Sequence, residues 1–122
     1  MARILVIDDS PVMRQLLEEF LAELGHDVTC TEDGAAGIEA ALQDRYDLCI
    51  CDIHMPKKNG LQVFHTLSAK CPHTRFILTD SMPDELSAVV TKDLPVQYLR
   101  KPFELKQLQN VLDRLLQPVT RQ

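Results

Sequence analysis

The chain contains no tryptophan, so tryptophan fluorescence cannot report on anything it binds. It has no run of apolar residues near the roughly 20 needed to span a bilayer. Met1-Ala2-Arg3 leads into only four apolar residues, too few for the apolar stretch of a signal peptide. A cytoplasmic protein with no membrane partner is expected. No cluster of Lys or Arg tracks a phosphate backbone, and the net charge is −5, which argues against direct nucleic-acid binding by this chain. The cysteines Cys30, Cys49, Cys51 and Cys71 form no CxxC pair and read as reduced, structural thiols. A zinc site on Cys71 and His73 would lack a second ligand pair. His26, His65 and His73 have no catalytic partner and read as solvent-facing. There is no low-complexity segment, no internal linker and no repeat longer than one β–α unit. The 122 residues therefore form a single domain, residues 1–122.

What remains is an alternation of two kinds of segment. Ile4-Leu5-Val6-Ile7 is apolar throughout, as a strand buried on both faces requires, and it ends at Asp8. Ser10-Pro11 then supplies an N-cap and a first-turn proline. Met13, Leu16, Leu17, Phe20, Leu21 and Leu24 follow at helical spacing, and Gly25 stops the helix. Val28 to Thr31 reads as a half-polar edge strand, and Asp33-Gly34 opens a helix carrying Ile38, Ala41 and Leu42. Leu48 to Cys51 is a second wholly apolar strand, ending at Asp52. A third helix follows Asn59-Gly60 with Leu61, Phe64 and Leu67 on one face. Phe76-Ile77-Leu78 is a buried strand ending at Thr79, and Pro83-Asp84 starts a weaker helix through Val89 and Val90. Val96 to Leu99 is the last strand, before Lys101-Pro102. The last helix carries Leu105, Leu108, Leu112 and Leu115, with Pro118 just beyond. Strands alternating with helices predict an α/β fold: a parallel sheet, helices on both faces, all strand C-termini at one edge. Such edges bind ligands.

The residues at that edge carry the chemistry. Asp8-Asp9, Asp52, Thr79 and Lys101 close or follow four of the strands. Three clustered carboxylates repel one another unless a hard cation such as Mg²⁺ or Mn²⁺ bridges them. A metal, a carboxylate nucleophile, a lysine and a hydroxyl together suit phosphoryl transfer.

Ile4-Leu5-Val6-Ile7-Asp8-Asp9-Ser10, Asp52 with Met55-Pro56 and Gly60, Thr79, and Lys101-Pro102-Phe103 stand in the order and at the separations of a known family. Over nearly its whole length the chain resembles a receiver domain of the bacterial two-component response regulators. The resemblance implies a flavodoxin-like, doubly wound five-stranded sheet of order 2-1-3-4-5. It implies that Asp52 accepts a phosphoryl group from a histidine kinase, that Asp8, Asp9 and Asp52 hold Mg²⁺, and that the backbone carbonyl of His54 completes the protein ligands. Thr79 and Lys101 would contact the phosphoryl group, with Lys101-Pro102 in a cis peptide and Tyr98 as the aromatic of the switch. The partners implied are a sensor histidine kinase or phosphotransfer protein and a downstream output protein or C-terminal output domain. A phosphorylation-linked dimer is a further possibility of the family. Such a module is not an enzyme beyond its own phosphorylation and dephosphorylation.

Three positions depart from the family pattern. Asp80 follows Thr79 where a small residue is usual; it either modulates access to Asp52 or caps the following turn. His54 stands two residues after the acceptor, beside the route of attacking water. Asp93-Leu94-Pro95 replaces a Gly-Ala pair before the last strand, which predicts a different end to the fourth helix. The rival readings are a pseudo-receiver used only for docking and a metal-dependent aspartyl phosphatase. A docking module has no use for the acidic cluster and Lys101, and a phosphatase would need Asp-x-Asp and a cap for which no chain remains.

Overall fold

A computed structural model describes residues 1–116; the expected helix stop at Pro118 and the polar tail Gln117 to Gln122 lie outside the described residues. Ten elements alternate along the chain: β1 (Arg3–Ile7), α1 (Pro11–Glu23), β2 (Asp27–Thr31), α2 (Gly34–Gln43), β3 (Leu48–Asp52), α3 (Gly60–Lys70), β4 (Arg75–Asp80), α4 (Glu85–Asp93), β5 (Gln97–Arg100) and α5 (Leu105–Leu116). The strands form one parallel sheet in the order β2-β1-β3-β4-β5. The half-polar β2 lies at an edge and the wholly apolar β1 and β3 lie inside, as their patterns predicted.

Because strand side chains alternate, the inner strands feed two cores, one on each face of the sheet. Leu5, Ile7, Cys49, Cys51, Phe76 and Leu78 face one side and pack with Ala41 of α2, Val63, Phe64 and Leu67 of α3, and Val90 of α4. Ile4, Val6, Leu48, Ile50 and Ile77 face the other and pack with Leu17 and Leu21 of α1 and with Leu108, Val111 and Leu112 of α5. Each large side chain so buried contributes about 1.5–3 kcal/mol.

Local chemistry sets the helix ends. The Ser10 side chain accepts the Met13 N–H before Pro11, and Asp33 accepts the Ala36 N–H. Asn59 and Gln62 form a reciprocal capping box for α3. Gly25 leaves α1 at φ 93°, a conformation costly for other residues.

Four expectations need correction. Leu16 and Leu42 are 40% and 51% exposed, and Leu24 and Val89 are exposed too. Their helices each touch one face of the sheet, so only the central stripe of each apolar face is covered. β5 begins at Gln97 rather than Val96, after Pro95, which has no N–H for the ladder. β4 runs on through Asp80, one residue past the expected end. His26 is half-buried rather than solvent-facing: its Nδ1 accepts the Ala2 N–H at 3.0 Å, and burial lowers its pKa. His65 and His73 are exposed as expected. The cysteines are free, and Cys71 is buried with its Sγ toward the Ala41 carbonyl. None of the described helices is long and apolar enough to cross a membrane.

Candidate functional site

Parallel strands bring their C-terminal residues to one edge, and register decides which of them meet. Ile7 pairs with Cys51, so Asp8 and Asp52 leave adjacent strands together. Asp52 pairs directly with Thr79. Lys101 follows β5, and its N–H donates to the Asp80 carbonyl at 2.7 Å. Its peptide with Pro102 is cis.

Asp8, Asp9 and Asp52 each offer a carboxylate oxygen, and these oxygens lie within 4.8 Å of one another. Asp8 and Asp52 are buried and Asp9 is exposed, which leaves the cluster open to solvent on one side. The Lys101 ammonium lies 2.8 Å from Asp8 Oδ2 and 3.6 Å from Asp52 Oδ2. Asp8 Oδ1 accepts the Ser10 N–H at 2.9 Å, so the residue that caps α1 also orients the Asp8 carboxylate.

Asp52 is the least satisfied group of the cluster. Among the described residues its Oδ1 is buried without a hydrogen-bond partner, and so is the Thr79 hydroxyl. Burial pushes the Asp52 carboxyl up to about 6; Lys101 opposes this, and the charges of Asp8 and Asp9 add to it. A carboxylate oxygen with no donor, among two further carboxylates at chelating distance, fits a divalent oxygen-seeking cation. Lys101 alone does not neutralise three acids.

The β3–α3 loop is packed against this site from below. The Gly60 N–H donates to the Ile53 carbonyl at 2.7 Å. A Cβ on Gly60 would stand 2.7 Å from the Asp52 carbonyl oxygen and 2.8 Å from Ile53 Cα. Lys57, at φ 71°, reaches Asp33 Oδ2 at 3.4 Å on the loop's other side.

A second polar cluster lies beside the first. Asp80 is 0% exposed. Its Oδ2 accepts hydrogen bonds from the Ser87 hydroxyl and, at 2.8 Å, from the Tyr98 hydroxyl. Its Oδ1 accepts the Met82 N–H at 3.0 Å, which is the turn-capping bond. His54 Nε2 lies 3.5 Å from Asp80 Oδ1 and 3.4 Å from Asp84 Oδ1. Burial alone would raise the Asp80 pKa, but the bonds from Ser87, Tyr98 and Met82 outweigh it and hold the carboxyl below its ordinary value. Burial and then the bond to Asp80 push the Tyr98 phenol up to about 12.

The rim thus holds Asp8, Asp9, Asp52 and Lys101 in contact with Thr79 alongside, while Asp80, Tyr98 and His54 sit in a separate cluster. Two contributors were not legible in the sequence. Arg14 donates to the Asp8 carbonyl at 2.7 Å, and Ser87 anchors Asp80. A cation one turn into α1 was the only signal for the first; nothing signalled the second.

Comparison with known proteins agrees over most of the chain. A family model described as the response regulator receiver domain matches residues 4–113. The chain is similar to the DNA-binding transcriptional regulator NtrC of Azospirillum brasilense, 34% identical over 94% of this chain and 24% of that protein. It is similar to protein PilH of Pseudomonas aeruginosa, 33% identical over 95% of this chain and 98% of that protein. The chain spans half or less of the transcriptional regulators it matches. Among solved structures it resembles the response regulator TrrA of Thermotoga maritima in complex with Mg²⁺-BeF, with TM-score 0.81 and 33% identity over 94% of this chain and 99% of that one.

Proposed function

The chain belongs to the response regulator receiver domains of two-component systems, and from that premise we propose that it accepts a phosphoryl group on Asp52 in a Mg²⁺-dependent reaction and thereby switches a protein–protein surface. The observation that carries the reading is the Asp52 carboxylate clustered with those of Asp8 and Asp9, its Oδ1 and the Thr79 hydroxyl both buried without a hydrogen-bond partner among the described residues. Asp8, Asp9, Asp52 and the His54 backbone carbonyl would hold the metal, which supplies charge neutralisation for the phosphoryl oxygens. The Mg²⁺-BeF complex named for the Thermotoga maritima relative supports the same ligand chemistry.

In this reading an Asp52 carboxylate oxygen attacks the phosphorus of a phosphohistidine. The new P–O bond forms as the P–N bond breaks, and the imidazole leaves with the electron pair and takes up a proton. Lys101 stays paired with Asp8 and turns its remaining hydrogens to a phosphoryl oxygen. The Thr79 hydroxyl, buried without a hydrogen-bond partner among the described residues, donates to another. Tyr98 follows Thr79 as the switch aromatic. All of residues 1–122 act as one receiver unit in the cytoplasm. A histidine kinase or phosphotransfer protein stands upstream, and an output protein or C-terminal output domain downstream.

Incubation with Mg²⁺ and acetyl phosphate should add one acid-stable, base-labile phosphoryl group, read by intact mass. Asp52→Asn should stay unlabelled. Equal labelling of the two proteins would remove the assignment, and no labelling of either would leave only a docking module.

A further inference from the structure

A fully buried carboxylate is expensive unless donors surround it, and removing one donor leaves a charge without solvent to replace it. Asp80 has such a shell, and the phosphoacceptor chemistry uses none of it. Its donors come from three places: Met82 in the turn after β4, Ser87 in the first turn of α4, and Tyr98 in β5. The Ser87 hydroxyl accepts the Asp84 N–H at 3.2 Å while donating to Asp80, so the α4 start is built around the same carboxylate. The backbone is tied in as well. Asp80 follows Thr79, which pairs with Asp52, and its carbonyl accepts the Lys101 N–H. Any shift of Thr79 toward a group on Asp52 therefore pulls on Asp80. Tyr98 and Ser87 line one small surface cavity with Pro83, Asp84 and Ala88, so the hold ends at an exposed face.

We propose that Asp80 is a positioning residue whose carboxylate holds the Tyr98 hydroxyl against the first turn of α4 and so favours the unphosphorylated arrangement of β4, α4 and β5. The inference rests on the reading of Asp52 as acceptor and Tyr98 as switch. Asp80 then acts through Tyr98, and not across the approach of the phosphodonor. Weakening the hold enlarges the fraction of molecules already in the labelling-competent arrangement, which raises the apparent rate.

The test is a double-mutant cycle on the full chain, with tyrosine-ring NMR and acetyl phosphate labelling in Mg²⁺ as readouts. The chain has two tyrosines, so Tyr46 serves as the internal reference. In the unlabelled protein, Asp80→Asn should move the Tyr98 ring signals and leave those of Tyr46 in place. Asp80→Asn and Tyr98→Phe should each raise the initial labelling rate at least about threefold, as expected for loss of a charge-assisted hydrogen bond. The double variant should label no faster than the faster single one. If Asp80→Asn fails to fold, Ser87→Ala, which removes the anchor of Asp80 to α4, takes its place in the cycle. Unmoved Tyr98 rings, or rates that multiply in the double variant, overturn the inference while the acceptor reading stands. Absence of labelling in the wild type overturns the acceptor reading, and the inference with it.

Discussion

At the scale of single residues, the clustered carboxylates of Asp8, Asp9 and Asp52 put the site under electrostatic tension. The Asp52 carboxyl ordinarily titrates near 3.8 and is raised to about 6 by burial and by Asp8 and Asp9, against Lys101. A raised carboxyl pKa means that the folded chain holds its proton more tightly than the unfolded chain does. Stability is then fully present below about pH 3.8 and is lost as pH rises through about 6. At neutral pH the charged group costs on the order of 3 kcal/mol, less whatever solvent screening removes. Asp52→Asn in EDTA should therefore be the more stable protein at pH 7, and its advantage should shrink between pH 7 and pH 4. Urea midpoints of both proteins across that range are the measurement; parallel curves would show that Asp52 carries no such tension. Asp52, Asp8, Asp9, Thr79 and Lys101 could be picked from the sequence because each ends or follows an apolar run. The contacts of Asp80 could not, because Ser87 and Tyr98 reach it from separate elements.

At the scale of elements, two glycines show what a loop demands. Gly25 ends α1 at φ 93° with nothing within 4 Å of an added Cβ. Gly25→Ala meets only backbone strain, about 1 kcal/mol, and should leave labelling of Asp52 unchanged. Gly60 starts α3, and its added Cβ would press on the backbone of Asp52 and Ile53. Gly60→Ala must displace the β3–α3 loop, at about 1–3 kcal/mol, and should also slow labelling because the Asp52 carbonyl moves. Melting curves and labelling rates of the two variants separate these cases; equal labelling would mean that the loop does not position Asp52. The Asn59–Gly60 pair marked a helix start in the sequence, but the close approach to β3 belongs to the folded packing. α4 ends at Asp93 and β5 has four residues, with Leu94-Pro95-Val96 between them.

At the scale of the whole molecule, a cation that binds only the folded chain stabilises all of it, by about 2.7 kcal/mol at a concentration a hundredfold above Kd. Mg²⁺ should raise the melting temperature of the wild type by several degrees and that of Asp9→Ala much less. The chain has no tryptophan, so far-UV circular dichroism is the probe. An identical Mg²⁺ shift in both proteins would place the metal elsewhere. The sequence by itself determined the alternation of strands and helices, the central place of β1 and β3, the helix caps and the acidic rim. Each of these follows from a local period or a neighbouring side chain, which a linear pattern carries. The strand order followed only from the family resemblance, since apolar strands alone do not say which of them pair. Tertiary structure decided that Leu16 and Leu42 face water, because one sheet face covers only part of each helix's apolar side. It also decided that Arg14 braces the Asp8 carbonyl and that Asp80 joins Ser87 to Tyr98. Those contacts depend on how crossovers set elements against one another, and no local period encodes that distance.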